Sequence, residues 1–343
     1  MKRVVCAVLC ALLLLSGCST KTPAEQKKYQ ATFLTLFDTV TTIVGFAASE
    51  EEFSEMAQSV HDELLIYHQL FDIYHDYEGI VNLKTVNDAA GVAPVTVDRK
   101  IIDLLLDCKA FYTATGGRVN VAMGGVLSLW HEARNDGIND PVNAYLPDET
   151  ALRGAAEHTS LDAVVIDEAA STVFITDPQV RLDVGAVAKG WSVQQVADSA
   201  PDGLLLSVGG NICATGAKDK NGAPWIVGVQ DPDNAEEYLH SIYVYAERGN
   251  VVTSGDYQRA YAVDGKVYHH IIDPDTLYPA SYWRSVTIVC ADSGAADALS
   301  TALFLLPLEE GRALLAQYDA EAMWVDANGE IFKSDGFKQL IRT

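Results

Sequence analysis

Apolar residues recur along this chain with two different periods, and the places where one period gives way to the other divide it into elements. "TLFDTVTTIVGFA" alternates as a strand does, and Glu51 to Tyr77 follows with Phe53, Met56, Val60, Leu64 and Leu65 at helical spacing. After a loop, "RKIIDLLLDCKAFYTAT" predicts a second helix, stopped by Gly116 and Gly117. "HEARNDGINDPVNAYLPDE" is dense in turn residues and reads as a long surface excursion. From Leu161 onward short strand-like runs dominate: "AVVID", "TVFIT", "VRLDV", "GLLLSVG", "WIVGV", "SIYVYA", "NVVTSG", "RAYAV", "VYHHII", "SVTIV" and "AMWVD". Strands in hairpin runs with few crossover helices predict an α+β fold, with antiparallel sheets flanked by helices, rather than a doubly wound one. No internal repeat and no linker interrupts the chain after Ala31.

The N-terminus follows neither period. Lys2 and Arg3 precede the apolar "VVCAVLCALLLL", and "LSGC" ends at Cys18, the pattern of a lipoprotein signal over residues 1–17 with Cys18 as the lipidated residue. The apolar run is shorter than the roughly 20 residues a helix needs to cross a bilayer's hydrocarbon. "STKTPAEQKKYQ" is polar and aperiodic, so residues 18–30 read as lipidated cysteine and tether, and 31–343 as one folded domain. The expected location is outside the cell, anchored by lipid on the outer face of a bacterial cytoplasmic membrane.

Composition narrows the class. With 343 residues, 49% hydrophobic and 21% charged, the chain is globular, and its formal charge of -23 argues against nucleic acid, which is held by Lys and Arg clusters absent here. Loss of Lys2 and Arg3 with the signal takes that charge from -23 to -25, so the mature chain repels anionic lipid and its membrane attachment depends on the lipid. Of six cysteines, Cys6 and Cys10 leave with the signal and Cys18 takes the lipid. Cys108, Cys213 and Cys290 are far apart in sequence and read as buried free thiols, not a disulfide framework or a zinc site.

Several stretches carry chemistry, each with a plainer reading beside it. "YAVDGKVYHHIIDP" sets Asp264-Gly265 between alternating runs, a strong hairpin signal, and so predicts that the histidines lie on a strand. Successive strand side chains point to opposite faces. His270 is then opposite Arg259, on a face with Tyr261 and Tyr268, while His269 faces the scaffold. For either imidazole taken alone, a structural role serves as well as catalysis. "VRLDVGAVAKGWSVQQVAD" predicts strand, glycine turn and helix start, where first-turn N–H groups and Lys189 attract an anion. On these residues alone an ordinary strand–helix connection with a solvated lysine is the favoured reading, and the stretch is no Walker A loop. "DSGAADALSTALFLLP" predicts a helix with a stripe of Leu299, Leu303 and Leu306, and with Asp297 and Thr301 together on another face. Such a pair is usually solvated, but a carboxylate, a hydroxyl and a carbonyl also suit Mg²⁺. "GGRVNVAMGGVLSLW", "SVGGNICATG" and "VVTSGDYQRA" add glycines where backbone can approach a ligand.

Taken in order, "TGGRVNVAMGGVLSLW", "LDVGAVAKG", "SVGGNICATG", "PWIVGVQDP", "VVTSGDYQRAY", "HHIIDPDT" and "ADALSTALF" resemble the ApbE family, the FAD:protein FMN transferases, from about Phe37 to Trp324. The resemblance implies two intimately joined subdomains with the active-site cleft between them. It also implies an enzyme that moves FMN from FAD through a phosphoester bond onto a Thr or Ser hydroxyl of a target flavoprotein, releasing AMP with Mg²⁺. Within it Asp183 and Lys189 match FAD-holding positions, as do Phe37, Arg118, Val119 and Asn120, with Ile271 and Ile272 beside the cofactor. Asp297 and Thr301 match the metal's side-chain ligands, Ala186 its backbone ligand, and His270 the residue beside the pyrophosphate, read as the base with an ordinary near-neutral pKa. The implied partners are exported or membrane-bound FMN acceptors such as subunits of sodium-pumping NADH:quinone reductase or Rnf-type electron-transfer complexes. "GGRVN" puts Asn120 where an aspartate is common, and Phe37-Asp38-Thr39 replaces a methionine-glycine-threonine. Two other readings compete: a Mg-dependent FAD pyrophosphatase, and a flavin-binding lipoprotein without catalysis.

Overall fold

The computed structural model describes residues 26–343; the signal peptide read over 1–17 and Cys18 lie outside the described residues. Strand β1 (Lys27–Leu36) begins inside the stretch read as tether, and its Tyr29 ring stacks on Phe53. It pairs antiparallel with β2 (Thr39–Ala47). "TLFDTVTTIVGFA" is therefore no single strand. It holds parts of both arms of a hairpin whose turn residues, Phe37 and Asp38, each take a φ of 51°, the left-handed geometry a two-residue turn demands. Neither is glycine, so the alternation runs through the turn without a visible break.

Helix α1 (Glu50–Phe71) starts on a cap, the Ser49 hydroxyl accepting the Glu52 N–H at 3.2 Å, and carries three glutamates in its first turn. It stops short of Tyr77 because Asp72 redirects the chain. The Asp72 carboxylate accepts the N–H groups of Tyr74 and His75 at 2.6 and 3.1 Å and the Tyr77 hydroxyl at 2.6 Å. After α2 (Leu83–Asp88) and β3 (Val95–Thr96) comes α3 (Arg99–Ala114), which ends at the positive-φ glycines Gly116 and Gly117 as read. The expected surface excursion is largely helical, with α4 (Gly124–Asn139) running through its first half and α5 (Glu149–Ala156) closing it. α4 buries Val126, Trp130, Ala133 and Gly137; the polar residues between them masked that stripe. β4 (Val164–Asp167) and β5 (Thr172–Ile175) join β3 in a three-stranded sheet. "VRLDV" forms no strand. The Asn87 amide donates to Leu182 O at 3.0 Å and accepts from Leu182 N at 2.7 Å, so a side chain takes the place of a sheet partner, and only Arg181 bridges, to Met123.

The remainder is α6 (Ala188–Ser199), β6 (Leu204–Val208), β7 (Asn211–Ala214), β8 (Trp225–Gln230), β9 (Tyr238–Val244), β10 (Asn250–Gly255), β11 (Tyr261–Val263), β12 (Lys266–Tyr268), β13 (Trp283–Cys290), α7 (Ser293–Phe304), α8 (Leu308–Leu315), β14 (Ala320–Asp326), β15 (Ile331–Lys333) and α9 (Asp335–Leu340). The main sheet has eight strands in the order β1-β2-β6-β7-β10-β13-β14-β15, and every neighbouring pair is antiparallel. The fold is thus α+β with antiparallel sheets, as the strand runs indicated.

Residues alternate across this sheet into two cores. Val286, Ile288, Ala322 and Trp324 meet Leu299 and Leu303 of α7, whereas Val289, Met323 and Val325 meet the β8–β9 hairpin and Phe337 of α9. Cover on both faces explains why β13 reads as a nearly continuous apolar run. A third cluster, with Trp130, Leu152, Tyr261 and Ile272, joins α4 and α5 to the β11–β12 hairpin. The principal cleft opens where this cluster meets the main core. Cys108, Cys213 and Cys290 are all buried, and no helix among the described residues is long and apolar enough to cross a membrane.

Candidate active site

The Asp264-Gly265 turn forms as expected, with φ of 50° and 78°, and pairs Tyr261 with Tyr268. The paired strand ends there, so His269 and His270 lie beyond β12 rather than on it. What separates the two is hydrogen bonding, not strand alternation. His269 is buried, its Nε2 donates to Ala280 O at 2.8 Å, its Nδ1 accepts the Ile271 N–H at 3.2 Å, and its ring meets Phe304 edge-on. Both histidines line the cleft, but the Nδ1 of His270 is enclosed with no partner among the described residues. Burial first, and then the positive charge of Arg259, Lys189 and Arg134 together with the neighbouring His269, push its imidazole down to about 3. The expectation of an ordinary near-neutral pKa is therefore corrected: burial and the surrounding positive charge keep His270 a neutral imidazole throughout the physiological range. Ile271 belongs to the main core and Ile272 to the third cluster, which sets His270 at the seam between them.

Across the cleft, α6 and α7 are locked together at Gly190. A Cβ there would lie 2.2 Å from Ser293 O and 2.6 Å from Asp297 Cβ, so only glycine permits the approach. In a regular turn the Gly190 N–H would go to Ala186 O; it goes to Asp297 Oδ2 instead, at 2.9 Å, while Lys189 Nζ stands 3.5 Å from the same oxygen. Two consequences follow. Part of the anion-attracting start of α6 is already matched by an internal carboxylate, and the Ala186 carbonyl is left without its helical donor. Asp297, Thr301 one turn on, and Ala186 thus line the cleft together and bring it a carboxylate, a hydroxyl and a backbone carbonyl. No group of three or more His, Cys, Asp or Glu side chains converges among the described residues. A set of one carboxylate, one hydroxyl and one carbonyl fits a cation that keeps waters and ligand phosphates as its other ligands, the habit of Mg²⁺.

The remaining expected residues reach the same space. Asp183 lies on the loop before α6, where its Oδ1 accepts the Gly185 N–H at 2.9 Å, and Lys189 Nζ donates to Gly185 O at 3.2 Å. Arg118 reaches Asp275 at 2.6 Å and Asp273 at 3.6 Å, tying the loop after α3 to the "DPDT" turn. Val119 is buried beside it. The Asn120 amide is committed to protein, donating to Thr159 O and accepting the Ala122 N–H, both at 2.9 Å. An aspartate could not make the first of these bonds. Phe37 enters from the β1–β2 turn, its N–H on His68 Nδ1 at 3.2 Å and its ring edge-on to that imidazole. All of Phe37, Arg118, Val119, Asn120, Asp183, Ala186, Lys189, His270, Ile271, Ile272, Asp297 and Thr301 line one cleft of about 730 Å³.

The cleft also holds groups the sequence reading passed over. Tyr74, just past α1, and His131 and Arg134 on α4 line it together. His131 Nδ1 takes Arg134 NH2 at 3.1 Å and the Tyr74 hydroxyl at 3.3 Å. Because arginine only donates, that nitrogen is the acceptor and the ring proton is on Nε2. Asn211, at the start of β7, is 2% exposed, lines the cleft, and has an Nδ2 without a partner. The i,i+3 spacing of His131 and Arg134 was the available signal for a shared helical face, and it was lost once their stretch was read as a loop.

The family model described as the ApbE family matches residues 37–324. The chain is 32% identical over 288 residues to an FAD:protein FMN transferase of Klebsiella pneumoniae (strain 342), covering 80% of this chain and 86% of that one. It is 36% identical over 278 residues to one of Treponema pallidum (strain Nichols), covering 76% and 75% respectively. Among solved structures, the ApbE protein of Thermotoga maritima superimposes with a TM-score of 0.79 at 28% identity, over 92% of this chain and all of that one.

Proposed function

The chain belongs to the ApbE family, and from that membership and the cleft we infer that it is an FAD:protein FMN transferase, an enzyme that moves FMN from FAD onto a protein. The observation that carries this reading is the juxtaposition of a neutral, unpartnered His270 with the Asp297, Thr301 and Ala186 oxygens in one cleft. Its volume of about 730 Å³ lies within the range of small-molecule and cofactor sites.

In the reaction, a Thr or Ser hydroxyl of the acceptor forms a bond to the FMN-side phosphorus of FAD. The bridging P–O bond breaks, its electron pair leaving with the AMP phosphate, and the hydroxyl proton passes to an imidazole nitrogen of His270. Such transfers are governed by positioning and charge neutralisation, and a placed base contributes about 10²–10⁴-fold. Mg²⁺, held by Asp297, Thr301 and the Ala186 carbonyl, would supply positive charge to the diphosphate. Lys189 fixes the Asp297 carboxylate from one side and the Gly190 N–H from the other. Asp183 and Arg118 hold the loops that face the flavin. A bound diphosphate brings negative charge beside His270 and raises its proton affinity, which makes it a more effective base.

We place the enzyme outside the cell, anchored through a lipid on Cys18. Exported or membrane-bound flavoproteins are its acceptors, with subunits of sodium-pumping NADH:quinone reductase and Rnf-type complexes as the first to test. The test is direct: incubate the detergent-solubilised chain with FAD, Mg²⁺ and an acceptor domain, and look for flavin fluorescence on the acceptor in a denaturing gel. A fluorescent acceptor band that needs all three supports the reading. Its absence with a competent acceptor overturns it, and AMP release that ignores the acceptor identifies a pyrophosphatase instead.

A further inference from the structure

Arg134 and Arg259 stand apart from the other cations of the cleft. Lys189 has Asp297, and Arg118 has Asp275. Neither Arg134 nor Arg259 pairs with a carboxylate among the described residues. Arg134 donates to the neutral His131 at 3.1 Å, and among the described residues Arg259 reaches the Phe37 carbonyl, at 3.4 Å.

The fold brings the two together. Tyr261 of β11 packs where Gly137 has no side chain, a Cβ there lying 2.6 Å from its ring. Arg134 is one turn before Gly137 on the same side of α4, and Arg259 is two residues before Tyr261, so both lie beside this contact and line the cleft. Arg259 holds a φ of 46°, a left-handed conformation that side-chain-bearing residues rarely adopt and that concentrates at functional sites. Burial and the facing Arg259 both weaken the hold of Arg134 on its proton. Two cations kept close at such a cost are matched when an anion sits between them, and planar guanidiniums suit phosphate oxygens.

The position selects which phosphate. The oxygens suited to a metal are on the α6–α7 wall with Lys189. Arg134 and Arg259 are on the wall built from α4 and the approach to β11, and His270 senses charge from both walls. A diphosphate bound across the cleft then has one phosphate at each wall. We propose that Arg134 and Arg259 form a clamp for the phosphate of the departing adenylate, stabilising the negative charge it gains as the bridging P–O bond breaks. This rests on the transferase reading above: the FMN-side phosphorus stays at the α6–α7 wall, and AMP leaves from the arginine wall.

The experiment compares the solubilised full chain with Arg134→Gln, Arg259→Gln and Arg134→Lys, each checked by circular dichroism. Three quantities are measured: the flavin-transfer rate with acceptor and Mg²⁺, inhibition by free AMP, and binding of free FMN. Each glutamine variant is expected to transfer about 10²-fold more slowly, the scale for removing one preorganised donor to a developing charge. Inhibition by AMP should weaken by about tenfold or more while FMN binding is unchanged, and Arg134→Lys should recover part of the rate. Rate and AMP inhibition like the unaltered chain's, or a loss confined to FMN binding, would overturn the clamp while leaving the transferase reading intact. No transfer by the unaltered chain would overturn both.

Discussion

Asp297 and Arg134 line the same cleft from different helices, α7 and α4, and are held in opposite ways. Asp297 is 4% exposed and receives a backbone N–H and a lysine on one oxygen, at a helix contact so close that Gly190 admits no side chain. Arg134 is half-buried, faces a second arginine and has no carboxylate partner among the described residues. One wall is preorganised around a negative charge of its own, which a cation can join. The other keeps positive charge unmatched, and so leaves its balance to the ligand. His270 lies between them, stripped of its proton by burial and by the cations around it. A site so divided is suited to an extended anion that is split in two, one part remaining at the cation and the other departing.

The largest expected effect tests the residue between the walls. His270→Ala should slow transfer about 10²–10⁴-fold with FAD binding kept, measured by single-turnover flavin fluorescence; an unchanged rate would remove the base from the account. Next comes the enclosed wall. Asp297→Asn keeps the shape and removes the charge, so transfer should fall about 10²–10³-fold and need more Mg²⁺ for half-maximal rate. A fall in rate with no change in Mg²⁺ requirement would assign Asp297 to structure alone. Gly190→Ala sharpens the same point through packing. Its Cβ must displace Ser293 or Asp297, at a cost of about 1–3 kcal/mol in urea unfolding, and Mg²⁺ dependence should weaken with it. The equivalent insertion at exposed Gly154, where a Cβ meets nothing within 4 Å, should do neither.

The smallest effect is on pH. Burial lowers the pKa of His270, and also of His68, His131 and His269. In the unfolded chain these imidazoles take protons near 6.5, the unperturbed value, whereas in the folded chain they resist until lower pH. The unfolded state therefore binds more protons in that window, and stability is present above about pH 6.5 and lost as pH falls below it. His270→Gln removes one such group and should flatten that loss in unfolding measurements taken across the window. In the kinetic profile, kcat/KM of the free enzyme should show no acid limb from His270 near 6.5.

The same contrast governs what could be read from the sequence. The α6–α7 wall announced itself, because a glycine-lysine helix start and an i,i+4 pair of Asp297 and Thr301 leave local signatures, and the family resemblance gave them a shared purpose. The arginine wall left only the i,i+3 spacing of His131 and Arg134. Arg134 is on a helix whose buried stripe of Trp130, Ala133 and Gly137 is interleaved with Glu132, Asn135 and Asp136, so the periodicity was hidden. Phe37 was expected at the site, but the turn that aims it was not, since neither Phe37 nor Asp38 is the glycine such turns favour. The strand misread over "VRLDV" fails for a long-range reason, the Asn87 side chain replacing a sheet neighbour. His269 and His270 received the expected division, but its cause is hydrogen bonding to Ala280 and Ile271, which no local pattern encodes.

The most direct test of the central claim counts both products of one reaction. With FAD, Mg²⁺ and an acceptor domain, intact-mass spectrometry should find the acceptor heavier by FMN less one water, with one AMP released for each FMN attached. Without acceptor, AMP release should be slow by comparison. AMP release at the same rate with and without acceptor, or an acceptor whose mass does not change, would contradict the account.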